Sequence, residues 1–190
     1  MIPIGISEIL KAVDGTLLWG DENGVVTNVV TDSRKAGKGS LFVPIVGERV
    51  DAHRFIPQVM QAGAGVTFSS RKDVAPAASG CCIYVEDTLA ALQKAAAYYR
   101  SRFDIPVIGV TGSVGKTTTK EMISAVLEKK YRVVKTQGNW NSQVGVALMM
   151  FELEPETELA IFEMGMSLPG EMARLVEIAK PQTAVMTNIG

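Results

Sequence analysis

The sequence predicts an α/β protein: a small N-terminal α/β unit followed by a second α/β domain built on a mostly parallel sheet. Three observations carry this. From Val107 onward apolar strands alternate with helical segments through short connections, the pattern of parallel strands joined by helical crossovers. Before that point the strand-like runs are short, β-branched and interrupted by Gly, Pro and polar stretches. Between the first strand and first helix of the second region lies G-V-T-G-S-V-G-K-T-T, residues 109–118, a glycine-rich loop ending in Lys-Thr.

In chain order, Ser7 is expected to cap a short helix that ends near Gly15. Residues 25–32 and 40–46 read as strands, rich in Val, Ile and Phe. Residues 51–64 read as a helix with Phe55, Val59 and Ala62 on one face. Residues 65–69 and 81–85 are two further short strands, separated by the polar loop RKDVAPAASG. The pattern is helical from Asp87, the expected N-cap, to about Phe103, with Leu89, Leu92, Ala96 and Tyr99 sharing a face. The domain boundary falls at 104–106, giving domains 1–103 and 104–190.

In the second domain, strand 107–110 leads through the Gly-rich loop into helix 116–129. Strand 132–136, helix 143–151, strand 159–163, helix 169–179 and strand 183–187 follow. Nothing after them reads as a closing element. The chain is therefore expected to stop partway through this domain and to expose apolar sheet surface, with poor solubility or self-association as the consequence.

Composition excludes several function classes. Of 190 residues, 47% are hydrophobic and 21% charged, with a net charge of -1, so no overall basicity draws the chain to nucleic acid or an anionic membrane. The mild lysine clusters at 116–120 and 129–135 read as a solvated helix face. No stretch approaches the roughly 20 apolar residues of a membrane span, and MIPIGISEIL is not a signal peptide. Cys81 and Cys82 are strand neighbours facing opposite ways, and the chain has one His, which excludes a shared disulfide and a Cys/His metal cluster. They read as reduced thiols packed as small hydrophobes in a cytosolic protein.

The Gly-rich loop carries the strongest chemical signal. Glycines let successive backbone N–H groups curl around phosphate oxygens, and the helix N-terminus adds positive potential. Gly112, Ser113, Val114, Gly115, Lys116, Thr117 and Thr118 are the expected ATP-binding residues. Lys116 reaches the β- and γ-phosphates and the Thr117 hydroxyl ligates Mg²⁺. The generic pattern places Gly six residues before the Lys; here Val110 stands there and the glycine is Gly109. Glu163, ending an apolar strand, is the expected acidic metal partner. G-N-W-N-S at 138–142 contributes Asn139 and Asn141, although by itself it reads as an Asn-Gly turn. In the first domain, Asp32, Ser33 and Arg34 follow one strand, and Gly47, Glu48, Arg49, Asp51 and His53 follow another. From the residues alone these are capped turns, and His53 a hydrogen-bonded loop or core histidine.

Together these segments resemble the Mur ligases, ATP-dependent amide ligases of peptidoglycan precursor synthesis. The shifted glycine fits that family's G-x-T-G-x-x-G-K-T loop. T-D-S-R, L-F-V-P-I-V-G-E-R-V-D-A-H-R-F and Gln61-Ala62-Gly63-Ala64 resemble its UDP-sugar-binding domain. T-Q-G-N-W-N-S-Q-V-G-V-A-L and E-M-G-M-S-L-P-G-E-M-A-R-L resemble the member that adds D-alanyl-D-alanine. The chain departs from the family at Ala52, where Gly is usual, at Ser142, where Asn is common, and at Ala147, where Pro is common. Family members extend well past this length, with a metal-associated His soon after the T-N-I-G segment.

The resemblance implies a UDP-muramoyl-peptide-binding domain at 1–103 and the first part of a P-loop ATPase domain at 104–190. It also implies the chemistry. ATP phosphorylates the terminal carboxylate of UDP-N-acetylmuramoyl-tripeptide, and the amine of D-alanyl-D-alanine attacks the acyl phosphate. Lys116 and Glu163 are then catalytic, with one Mg²⁺ on Thr117 and a second on Glu163. Asn139 serves the nucleotide and Asn141 the substrate, while 32–34 and 47–53 hold the uridine nucleotide. These 190 residues alone are expected to be inactive, and the parent enzyme monomeric. Two alternatives stay open: the preceding ligase, which adds a diamino acid to the dipeptide precursor, and a non-catalytic P-loop module.

Overall fold

Residues Ile4–Gly5 form a short strand β1 that runs directly into helix α1 (Ile6–Ala12) in the computed structural model, which describes residues 1–189. Gly190, the end of the T-N-I-G segment, lies outside the described residues. The chain divides into two compact units, Met1–Ala95 and the residues from Ala96 onward. The expected cap at Ser7 is displaced: Gly5 is the N-cap, and Glu8 Oε2 reaches back to accept its N–H at 2.8 Å.

In the first unit β2 (Thr16–Trp19), β3 (Val25–Val26), β4 (Asn28–Val30) and β5 (Ser40–Phe42) follow. Helix α2 (Ile56–Gln61) and strands β6 (Val66–Ser69) and β7 (Cys81–Tyr84) complete its sheet and cover. The sheet order is β2-β7-β6-β5-β4, with β4 to β7 mutually parallel and β2 antiparallel to β7. The expected strand at 25–32 breaks in two: β3 pairs with β1, β4 with β5. The expected helix at 51–64 also splits, into a 3-10 turn (Ala52–Phe55) and α2. Asp51 caps the turn by accepting the His53 N–H, and Pro57 tolerates only the first turn of the helix after it. Val30, Phe42, Ile56, Val59, Met60 and Ala64 pack as one core between α2 and the sheet. Cys81 and Cys82 are buried and unbridged, and burial pushes their thiols up to about 11 and about 12.

Helix α3 (Thr88–Arg100) begins at Asp87 as expected, its Oδ1 accepting the N–H groups of Leu89 and Ala90 at 2.7 and 3.0 Å. The division between the units falls inside this helix. In its last turn the Tyr99 hydroxyl donates to the Leu153 carbonyl at 2.7 Å, and the buried Arg100 guanidinium donates to the carbonyls of Phe103, Ile105 and Ala179.

The second unit alternates as predicted: β8 (Val107–Thr111), α4 (Lys116–Leu127), β9 (Val133–Lys135), α5 (Gln143–Met150), β10 (Leu159–Glu163), α6 (Glu171–Ala179) and β11 (Thr183–Met186). All four strands are parallel, in the order β11-β8-β10-β9. Val110, Leu159 and Ile161 form a core with Ile123 and Leu127 of α4 packed on it. This order sets β8, which delivers the Gly-rich loop, between β10 and β11, so the loop is flanked by both of their C-terminal ends. Met166, Leu168, Met186 and Ile189 are exposed. Among the described residues no helix is long and apolar enough to cross a membrane.

Candidate active site

The loop after β8 turns sharply at two glycines. Gly112 has φ of 133° and Gly115 φ of 82°, conformations that residues with a Cβ rarely adopt. Gly112 also has no room: a Cβ there would lie 2.3 Å from Thr187 Oγ1 and 2.9 Å from the backbone of Asn188. Gly115 is the N-cap of α4 and supplies no capping side chain, so the first N–H groups of the helix remain available to an anion. Lys116 folds back over the loop, its Nζ 2.8 Å from the Gly112 carbonyl and 3.3 Å from that of Ser113. The segment after β11 braces the loop from the other side. Ser113 N–H donates to the Asn188 carbonyl at 3.0 Å, and Thr187 Oγ1 lies within reach of the Thr111 and Val114 carbonyls.

Glu163 ends β10 beside this loop and is 2% exposed. Both of its carboxylate oxygens are engaged. Thr117 Oγ1 donates to Oε2 at 2.8 Å, and Asn141 Nδ2 donates to Oε1 at 2.8 Å. The structure thus brings together Lys116, Thr117, Glu163 and Asn141 from three separate stretches of sequence. Asn139 is exposed on the turn between β9 and α5 and makes no contact with the Glu163 carboxylate.

The donor set suits Mg²⁺. Hydroxyl and carboxylate are hard oxygen donors, and an octahedral ion with bonds of about 2.1 Å sets neighbouring ligands about 2.9 Å apart. In place of the separate ions that the resemblance implies for Thr117 and Glu163, their oxygens lie 2.8 Å apart, a spacing that fits one shared ion. The sequence gives no reason to single out Thr136, whose Oγ1 accepts the Glu163 N–H, Lys120, whose Nζ donates to the Thr136 carbonyl, or Thr187, which braces the loop. Lys120, grouped by sequence with a solvated lysine face, is in fact 1% exposed.

In the first unit the expected residues gather at one edge. Asp32, the 47–53 segment and Ser70–Arg71 follow β4, β5 and β6, which are parallel neighbours, so all three loops leave the sheet on the same side. Asp32 caps the 3-10 turn Ser33–Lys35 and pairs with the exposed Arg34 guanidinium, whose hydrogen bonds hold the Asp32 carboxyl down at about 2. Gly47, Glu48 and Arg49 are exposed on a turn closed by Gly47 N–H to the Val50 carbonyl. His53 is buried with both ring nitrogens engaged: Nδ1 lies 2.6 Å from Asp51 Oδ1, and Nε2 accepts the Ser70 N–H at 3.0 Å. That places the ring proton on Nδ1. Arg71, which the sequence does not single out, pairs with the other Asp51 oxygen.

Comparison with known proteins gives two family matches in this chain. The Mur ligase middle domain matches residues 110–190, and the Mur ligase family catalytic domain matches residues 25–100. A UDP-N-acetylmuramoyl-tripeptide–D-alanyl-D-alanine ligase of Bacillus subtilis is 44% identical over 100% of this chain and 42% of its own length. The MurF structure from Acinetobacter baumannii is 35% identical with a TM-score of 0.92, over 99% of this chain and 41% of that one. MurF ligase from Thermotoga maritima, solved in complex with ADP, is 36% identical with a TM-score of 0.78, over 86% of this chain and 38% of that one. The chain therefore spans about two fifths of the length of the relatives it matches.

Proposed function

Because the chain belongs to the Mur ligase family, we propose that it serves an ATP-dependent ligase that joins D-alanyl-D-alanine to UDP-N-acetylmuramoyl-tripeptide. The contact between Thr117 and Glu163 beside a helix-opening glycine loop carries this reading, since it gathers phosphate donors and hard oxygen ligands at one point. Residues 1–103 are assigned to the UDP-muramoyl-peptide and residues 104–190 to the ATP-binding domain.

In this reaction the terminal carboxylate of the tripeptide takes the γ-phosphoryl group of ATP and ADP leaves; the amine then displaces phosphate from the acyl phosphate and loses a proton as the amide forms. The chain's part is positioning and charge neutralisation. The backbone N–H groups around Gly115 hold phosphate oxygens, and Lys116 exchanges its bonds to loop carbonyls for the β- and γ-phosphates. Thr117 and Glu163 would hold Mg²⁺, which would offset negative charge on the phosphates. Asn141 fixes the Glu163 carboxylate from its other oxygen. At the first unit's sheet edge, Asp32–Arg34 and the Asp51–His53–Ser70 network shape the loops that take the uridine nucleotide.

Calorimetric titration of the chain tests this. It should bind ATP with Mg²⁺ and should bind UDP-N-acetylmuramoyl-tripeptide in preference to the dipeptide precursor. Lys116→Ala should weaken ATP at least about tenfold, the scale of a lost charge-assisted contact, and leave the tripeptide nucleotide's affinity unchanged. Wild-type ATP affinity in Lys116→Ala would sink the assignment of the loop. Preference for the dipeptide precursor would instead favour the ligase that adds the diamino acid.

A further inference from the structure

Thr117 and Glu163 belong to different elements, and the geometry points to what keeps them opposed: we propose that Thr136 and Lys120 are positioning residues for the Glu163 carboxylate. This rests on reading Thr117 and Glu163 as the Mg²⁺ partners and adds the part that sets their separation.

The parallel ladder between β9 and β10 ends in an unusual exchange. Its last main-chain rung runs from Thr136 N–H to the Ile161 carbonyl at 3.0 Å. In a parallel pair the next rung would run from Glu163 N–H to the Thr136 carbonyl. Instead Glu163 N–H donates to Thr136 Oγ1 at 2.9 Å, and the Thr136 carbonyl accepts Lys120 Nζ at 2.7 Å. The threonine hydroxyl thus stands in for the carbonyl that the lysine has taken.

Lys120 lies on α4 one turn beyond Thr117, on the same face. Its side chain is 1% exposed, with Nζ 2.9 Å from Glu121 Oε1 as its ionic partner. Burying an ammonium costs free energy that an apolar residue of the same length would not incur. What the lysine provides in return is a tie from α4 to the end of β9, while Thr136 ties the end of β9 to Glu163. The two bonds fix the height of Glu163 against the first turn of α4, where Thr117 sits. The grip on phosphate depends on other groups, the loop N–H donors and Lys116. Mg²⁺, which demands near-ideal octahedral geometry, is the ligand sensitive to a small displacement of Glu163.

Titration of the 190-residue chain with ATP, in EDTA and across a Mg²⁺ series, separates these roles. Thr136→Val keeps the shape and removes the acceptor. It should reduce the Mg²⁺-dependent gain in ATP affinity about tenfold, the value of one hydrogen bond to a buried group, with affinity in EDTA within about twofold of wild type. Thr136→Ser should restore the wild-type response, and Lys120→Met should shift it in the same direction as Thr136→Val. Thr136→Ala carries the same expectation where the valine variant does not fold. A wild-type Mg²⁺ response in these variants, an equal loss with and without metal, or a serine variant as poor as valine would overturn the proposal. Glu163→Gln separates it from the reading beneath. If Glu163→Gln keeps the Mg²⁺ response, or wild type shows none, the metal assignment fails and the positioning role with it. If Glu163→Gln loses the response while Thr136→Val keeps it, only the positioning role fails.

Discussion

Gly112 and Gly115 both have positive φ, but only one of them is also sterically closed. At Gly115 the atom nearest to an added Cβ is 3.8 Å away, so alanine there meets backbone strain alone, about 1–2 kcal/mol. At Gly112 the added carbon collides with Thr187 Oγ1 and with the main chain of Asn188, so the brace between β11 and the loop must open. Gly112→Ala is expected to be the more destabilising in urea melts and to abolish ATP binding; equal effects of the two variants would contradict the bracing role of Thr187. In the first unit the Asp51 carboxyl sits below its ordinary 3.8: burial alone would raise it, but the His53 backbone and ring hydrogen bonds and the Arg71 charge outweigh burial. A carboxyl depressed in the folded state contributes stability above its unfolded value and loses that contribution as pH falls through the folded one. The stability gap between wild type and Asp51→Asn should therefore be full above about pH 4 and shrink below it. Urea midpoints across that range read it directly, and a gap that widens on acidification would refute it.

Helix ends show why some elements were legible and others were not. Asp87 satisfies two N–H groups of α3 directly, a local interaction that sequence reveals. Asp87→Ala should cost about 1 kcal/mol. Ser7 has the right residue type but sits inside α1, because Glu8 already serves the backbone of Gly5, so Ser7→Ala should stay within about 0.5 kcal/mol. Chemical denaturation of the two variants checks both, and a larger loss from Ser7→Ala would reverse this assignment. The same distinction explains the rest. The alternation from β8 to β11 was readable chiefly because the two central strands, β8 and β10, are buried on both faces and leave continuous apolar runs. β1 and β2 were not: two residues carry no periodicity, and β2 pairs with a register irregularity between Leu17 and Trp19. The turn from β8 into α4 and the strand-end position of Glu163 were legible because both are written in residue type and local pattern. Thr136 and Lys120 were not, since a threonine and a lysine acquire their roles only when β9, β10 and α4 meet.

At the scale of the whole chain, each unit carries its own core and its own cluster of strand-end loops, so the two ligands should leave separate marks. A ligand that binds only the folded form stabilises it by about 2.7 kcal/mol when present at a hundred times its dissociation constant. That stabilisation reaches amides whose opening disrupts the site. With Mg²⁺ and ATP, exchange should slow at residues 112–118 and around Glu163, where the loop N–H groups and the Thr117 contact lie. UDP-N-acetylmuramoyl-tripeptide should slow exchange at residues 32–34 and 47–53 and around Ser70, whose N–H already bonds His53. The chain's near-neutral charge, -1 overall, leaves little long-range attraction to draw either anionic ligand to the wrong unit. Mass-spectrometric exchange with each ligand alone therefore tests the assignment of residues 1–103 and 104–190. Protection by the uridine nucleotide confined to residues 112–118, or by ATP confined to residues 32–53, would invert it.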